Sequence, residues 1–251
     1  MKIEQNILKI IEQGRTDGSL FFLPNIELNR KVYINVNKVL DCLGGKWDKK
    51  LKAHVFKSNI SDAIDSVLLT GEATDEKKEF QFFETPPNIV NWLIELAEVE
   101  PTHSCLEPSA GQGKIAEALR DIVLYDKLTC VEIMPENVSI LESNGFHVFE
   151  EDFLQFTHPL KFDRIVMNPP FTKQSDVTHV LKALTFLDKK GILVSVMSAG
   201  VNFRQNKKTL DFWETINEKY NHEVIELPSK AFKVAGTMVN TIILKISSKY
   251  A

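Results

Sequence analysis

Phe162-Asp163-Arg164-Ile165-Val166-Met167-Asn168-Pro169-Pro170-Phe171 is the stretch on which the reading of this chain turns. Its first six residues are short, apolar and stopped by proline, the pattern of a buried strand in a parallel sheet. Two successive prolines lack N–H groups and fix φ, so neither pairing nor a helix continues. The chain leaves the sheet as a stiff corner with bare carbonyl oxygens. An Asn168 amide oxygen beside the Pro169 carbonyl sets two acceptors side by side, ahead of the aromatic face of Phe171. Such a set suits a flat, amine-bearing ring. The plain alternative is that Pro-Pro only ends a strand, and what favours the first reading is position: ligands of open α/β sheets bind outside the carboxyl ends of strands.

Upstream, Cys105-Leu106-Glu107-Pro108-Ser109-Ala110-Gly111-Gln112-Gly113 follows a short strand and precedes a helix from Lys114 to Arg120. Gly111 and Gly113 permit a tight turn and close approach of backbone to a ligand. Glu132, about 20 residues on, ends the next strand and suits ribose hydroxyls. Gly111, Gly113 and Ala116 also satisfy the dinucleotide pattern G-x-G-x-x-A, so a nicotinamide enzyme stays open at this point. Glu151-Asp152-Phe153 closes a third strand, where Asp152 can accept from an exocyclic amine and Phe153 can cover a ring. Each acid taken singly reads equally as a solvated strand end; their common rim is what makes them a set.

Further strands are expected at residues 147–150, 191–197, 222–227 and 239–246, with helices at 135–143, 176–187 and 210–220. Strands alternating with helices imply a doubly wound sheet. The last two strands are joined by residues 228–238 alone, too short for a crossover helix, so they should form an antiparallel hairpin. That ending is unusual for a dehydrogenase. Thr85 is placed to N-cap a helix with Pro86 at its first position, continued by Val90, Leu93, Ile94 and Ala97.

The chain has 251 residues, 43% hydrophobic and 25% charged, ordinary for a globular protein with a full core. Residues 1–79 read as a small α+β module and 80–251 as the larger α/β unit, with 71–79 as a linker. In the module, Ile3, Ile7, Leu8, Ile10 and Ile11 fall at helical spacing. Val32 and Ile34 alternate as a strand, and Val36, Val39, Leu40 and Leu43 continue as a helix. From Arg30 to Lys57 there are eight Lys or Arg against Asp41 and Asp48, in a protein of net charge -4. Lys46, Trp47, Lys49, Lys50 and Lys52 concentrate that charge beside an aromatic, either as a phosphate-contacting surface or as a solvated strand face. Cys42, Cys105 and Cys130 have no CxxC pairing, so no metal site is expected. The opening residues carry charges within their apolar stretch and no apolar run spans a bilayer, so a cytoplasmic protein is expected. His103, His147, His158 and His179 are scattered and read as structural or solvated.

Residues 80–246 resemble the class I S-adenosylmethionine-dependent methyltransferases, specifically the N6-adenine DNA methyltransferases, with motifs in the order of that family's gamma group. Phe83-Glu84-Thr85-Pro86 is similar to the motif that touches the methionine part of the cofactor. LEPSAGQG resembles the family's Gly-rich loop, Glu132 its ribose-binding acid, Asp152-Phe153 its adenine-binding pair, and Asn168-Pro169-Pro170-Phe171 its catalytic motif. The resemblance implies a seven-stranded, mostly parallel Rossmann-like methyltransferase sheet with a terminal antiparallel hairpin. It implies S-adenosylmethionine as cofactor, held by Phe83, Thr85, Pro86, Glu107, Ser109, Gly111, Gly113, Glu132, Asp152, Phe153 and Asn168.

It further implies methyl transfer to an adenine N6 in DNA after base flipping, with Phe171 stacking on the base and Phe232 helping to hold it. RNA bases and protein glutamine are rival substrates, because Asn-Pro-Pro followed by an aromatic serves all three. A non-catalytic DNA-binding accessory protein is a rival of another class. Larger members carry a target-recognition domain, commonly after the catalytic unit. Here sequence readout is expected from residues 1–79, from Val201 to Thr209 with Arg204, Lys207 and Lys208, or from a separate specificity or restriction partner.

Overall fold

The computed structural model describes residues 2–56, 59–73, 84–228, 231–232 and 239–249. In the first part of the chain, α1 (Gln5–Glu12) is followed by β1 (Arg15–Asp17), β2 (Leu20–Phe22), α2 (Arg30–Cys42), β3 (Lys46–Asp48), β4 (Ala53–Val55) and α3 (Ser61–Thr70). The strands form an antiparallel sheet in the order β1-β2-β4-β3. Its core gathers Ile7, Leu8 and Ile11 with Phe21, Val36, Leu40, Ile60, Ile64 and Val67.

Val32 and Ile34, expected in a strand, lie inside α2. Asn29 caps that helix by accepting the Val32 N–H at 2.9 Å, so helical winding starts at Arg30. The stripe Val36, Val39 and Leu40 then faces the core while Ile34 stays exposed. Lys46 to Val55 forms a hairpin whose turn is pinned by Asp48 Oδ1, which accepts from the Lys50 and Leu51 N–H groups at 2.7 and 3.0 Å. Lys46, Trp47, Lys49, Lys50 and Lys52 are all exposed on it.

The larger sheet is built from β5 (Cys105–Glu107), β6 (Leu128–Glu132), β7 (Val148–Glu150), β8 (Phe162–Met167), β9 (Leu187–Ser198), β10 (Tyr220–Glu226) and β11 (Thr241–Ser248). Its order is β10-β11-β9-β8-β5-β6-β7. The run from β5 through β9 is parallel wherever strands pair, and β11 lies antiparallel to both β9 and β10. This is the expected fold, terminal hairpin included. Alternate strand residues feed two cores: Val166, Val194 and Val196 pack with α4 (Pro87–Ala97) and α5 (Lys114–Arg120) on one face. Ile165, Met167 and Leu193 pack with α7 (Ser175–Leu184) and α8 (Lys207–Lys219) on the other. The helix α6 (Pro135–Ser143) follows β6.

From β5 the chain moves outward to β6 and β7, then returns to the opposite side of β5 as β8. That reversal opens a crevice above the carboxyl ends of β5 and β8, where an α/β sheet takes its ligand. Glu107, Glu132, Asp152 and Asn168 all stand at that rim. Among the described residues, no helix is long and apolar enough to cross a membrane.

Among the described residues, polar contacts join the smaller sheet's part of the chain to the larger. Arg204 Nη2 meets Asp65 Oδ1 of α3 at 2.5 Å, with side chains 16% and 7% exposed. Asn240 Nδ2 donates to Glu12 Oε2 at 3.4 Å. Arg204, considered above as a nucleic-acid reader, is therefore committed to an internal ion pair. Lys208 Nζ likewise donates to the Lys173 carbonyl at 3.1 Å, and Thr209 Oγ1 to Gln174 Oε1 at 2.9 Å. The stretch from Val201 to Thr209 acts as a strut under the loop that follows Phe171.

Candidate cofactor and catalytic cleft

The Gly-rich turn between β5 and α5 is held down by two bonds to β6: the Ala110 N–H reaches the Val131 carbonyl at 3.0 Å and the Gly111 N–H reaches Glu132 Oε2 at 2.6 Å. Gly113 has φ +91°, and a Cβ there would stand 2.9 Å from Leu141 Cδ2. Any side chain would thus be strained by both conformation and space. Glu132 Oε1 also accepts from Ile133 and Met134 N–H groups at 3.0 and 2.8 Å, so its carboxylate braces the turn as well as facing the crevice.

Two recesses open here. The larger, about 730 Å³, is walled by Ile133, Met134, Phe153, Pro169, Pro170 and Phe171, with Asp152, Glu132, Ser109, Asn137 and His179 as its polar groups. Its apolar lining with a few convergent polar atoms is that of a small-molecule site. Asp152 Oδ1 takes the Leu154 N–H at 2.9 Å, which fixes the acid at the rim. The smaller, about 240 Å³, is lined by Glu84, Thr85, Glu107, Ser109, Gln112, Lys114 and Asn168. Ser109 and Asn168 border both, so one elongated ligand can occupy the pair.

Asn168 sits at the junction. Its Nδ2 donates to Thr85 Oγ1 at 3.0 Å, which turns the amide so that its oxygen is on the opposite prong. Thr85 is not the helix cap that local spacing suggested. Pro86 takes that position and Pro87 the first turn, because two prolines need no N–H acceptor there. The Thr85 hydroxyl is released to orient an amide 83 residues away in the chain.

Glu107 is 1% exposed and its Oε2 has no hydrogen-bond partner among the described residues. Burial, reinforced by the nearby Glu132, pushes its carboxyl well above the usual carboxylate range. A buried acid with an orphaned oxygen facing a small recess fits a cationic or hydroxylic ligand group.

Of the other expected residues, Ser109, Glu132, Asp152, Phe153 and the segment Asn168–Phe171 line this crevice, while Gly111 and Gly113 shape the turn beside it and line neither recess. Phe171 lines the cleft but is 6% exposed, so little of its ring is offered to a ligand. Phe83 lies outside the described residues. Phe232 departs from expectation: it is fully buried in the core with Val90, Leu93 and Val239, and presents no face to a base. Its position before the last strand is local, but burial is decided by what packs over it.

His179 departs in the other direction. Expected to be structural or solvated, it lines the cleft from α7, with its ring 5.7 Å from that of Phe153. Ile133 and Met134 were also not anticipated, although their place directly after Glu132 was available as a signal. Nothing in the spacing of His179 gave one. Among the described residues, no cluster of His, Cys, Asp or Glu could hold a metal ion.

Comparison with known proteins gives the family of the chain. The methyltransferase small domain family matches residues 91–226. The type II methyltransferase M.CvrRI of Paramecium bursaria Chlorella virus XZ-6E is 30% identical over 107 residues, 41% of this chain and 28% of that protein. A probable ribosomal RNA small subunit methyltransferase A of Methanosarcina mazei is 26% identical over 172 residues, 65% of this chain and 62% of that protein. The chain therefore spans between about a quarter and two thirds of these relatives' lengths. In fold it is similar to the M protein of the type I restriction enzyme EcoKI, with a TM-score of 0.60 at 15% identity, covering 98% of this chain and 58% of that one. With the family match covering more than half of its residues, the chain belongs to the methyltransferase small domain family, whose cofactor is S-adenosylmethionine.

Proposed function

We propose that this protein methylates the N6 amine of adenine in DNA, with Asn168-Pro169-Pro170-Phe171 as its catalytic motif in a gamma-type motif order. The observation that carries the reading is the Asn168 amide, oriented by Thr85 at the junction of the two recesses. An amide oxygen and the Pro169 carbonyl, both acceptors, match the two hydrogens of an aromatic amine. Accepting both favours a tetrahedral nitrogen and returns its lone pair from the ring. Phe171 lines the cleft beside that position but is 6% exposed, so stacking on the flipped base, about 1–3 kcal/mol against a few kcal/mol for unstacking it from a duplex, requires its ring to turn toward the cleft.

The cofactor's share of the chemistry is an electrophilic methyl group on sulfonium. Glu107, Thr85 and Ser109 would hold its methionine end, Glu132 its ribose hydroxyls, and Asp152, Phe153 and Pro170 its adenine. The orphaned Glu107 oxygen in the narrow recess supports that direction of binding. Pro86 would act by setting the start of α4, and Gly111 and Gly113 by letting the turn pass close to the ligand.

The exposed hairpin bearing Lys46, Trp47, Lys49, Lys50 and Lys52 is the proposed nucleic-acid contact. In this reading residues 1–79 form an accessory module beside a catalytic domain of residues 80–251. A separate specificity subunit is the partner class this reading implies, given the likeness to a type I M protein. RNA is the second reading, favoured by the ribosomal RNA methyltransferase relative. Purified protein incubated with methyl-labelled cofactor and either DNA or RNA, followed by nucleoside analysis, tests both. Label in N6-methyladenine of DNA is expected, and Asn168→Ala should abolish it while cofactor binding survives. Label confined to RNA would replace the first reading with the second, and label in neither would refute both.

A further inference from the structure

We propose that His179 holds the adenine ring of the cofactor, accepting one hydrogen of its exocyclic amine at Nε2 while Asp152 accepts the other. The inference rests on the reading that the wider recess takes the adenosyl end. His179 Nδ1 lies 2.8 Å from the Ser175 carbonyl oxygen. The Ser175 hydroxyl oxygen lies 3.1 Å from the same nitrogen and can accept or donate, whereas the closer carbonyl can only accept; the tautomer that satisfies both contacts has its hydrogen on Nδ1 and its lone pair on Nε2. The side chain is 7% exposed, yet Nε2 has no protein partner among the described residues and the ring lines the cleft. An unpartnered acceptor on a mostly buried side chain, at the wall of a cavity, is placed to take a donor from the occupant.

The donor is identified by the neighbours. Phe153, tilted 35° against the imidazole, covers a flat ring together with Ile133 and Pro170. Asp152 brings a second acceptor to the same end, close enough to His179 to influence its charge. Two acceptors at the edge of a flat apolar slot match an amino group, which has two hydrogens to give. A purine with oxygen at the same position would set an acceptor against both and be rejected. The charged and titratable groups acting on the imidazole are Asp152, from the loop after β7, and Lys208, from α8; burial dominates them and keeps the ring neutral. A neutral ring is the form that accepts.

Calorimetry with S-adenosylhomocysteine and S-inosylhomocysteine, its 6-oxo counterpart, tests the assignment on wild type, His179→Gln and His179→Leu. Wild type should prefer the amino ligand. His179→Leu should weaken that ligand about 3- to 12-fold, with little change for the 6-oxo ligand. His179→Gln, which keeps an acceptor near the Nε2 position, should recover most of the loss. Nitrogen NMR of the wild-type imidazole should show hydrogen on Nδ1 and a shift of Nε2 when S-adenosylhomocysteine is added. Equal weakening of both ligands, no weakening, or hydrogen on Nε2 would overturn the role of His179. Failure of wild type to bind S-adenosylhomocysteine at all would instead remove the reading of the recess on which it rests.

Discussion

Replacing Glu107 by Gln separates what the cleft needs for binding from what the fold needs for stability. Glu107 is 1% exposed; it accepts from the Ala116 N–H, and its Oε2 has no partner among the described residues. Burial raises its carboxyl well above the usual value of 4.5. The sign follows: stability linked to this group is fully present below 4.5 and is lost as pH rises through the folded value, because the charged form is penalised only in the native state. A bound ammonium reverses the penalty by pairing with the ionised acid, so binding releases a proton. A hydrogen bond to a charged group contributes about 1.5–3 kcal/mol, which predicts that Glu107→Gln weakens S-adenosylhomocysteine about 10- to 150-fold. The unliganded variant should be no less stable than wild type at pH 8. Calorimetry in buffers of different ionisation enthalpy reads both affinity and proton release, and urea unfolding reads stability. Unchanged affinity with no proton release in wild type would refute the argument, since the orphaned oxygen would then face no ligand.

Cofactor affinity should also depend on His179. Burial holds its pKa below the usual 6.5, so the stability it contributes is present above 6.5 and lost as pH falls through the folded value. In the Glu107→Gln background, affinity for S-adenosylhomocysteine should stay flat at and above pH 6.5 and fall only as pH drops through the lowered folded value of His179, measured by calorimetry across that range. Arg204→Ala should destabilise the protein by about 3–5 kcal/mol in urea unfolding, because it leaves Asp65 buried without its cation; Asp65→Asn with Arg204→Met should cost clearly less. Charge reversal at Lys49, Lys50 and Lys52 should weaken DNA binding and flatten its salt dependence in a filter or anisotropy assay. An unaltered salt slope would leave that hairpin as a solvated surface.

Much of the cleft was legible because its parts are local. A glycine turn after a strand, an acid at the end of the next strand, Asp152-Phe153, and a double proline after an apolar run each announce themselves within a few residues. The ligand crevice of an alternating α/β chain gathers them on one rim. The antiparallel ending was legible too, since residues 228–238 leave no room for a crossover helix. The errors were of the same local kind. Val32 and Ile34 alternate like a strand until Asn29 is recognised as a cap, and α3 carried no signal that was noticed.

The amino-acid sequence by itself determined the order of elements, the doubly wound sheet and the chemistry available at its rim, because these follow from periodicity, turn residues and the fixed direction of parallel strands. Only the tertiary structure decided that Thr85 orients Asn168, that Asp65 claims Arg204 across 139 residues, that Phe232 is core and that His179 opens on the cleft. Each of those depends on which surfaces meet after packing. A side chain's neighbours along the chain do not encode that, because a hydrogen bond or a burial contact is fixed by distance in space.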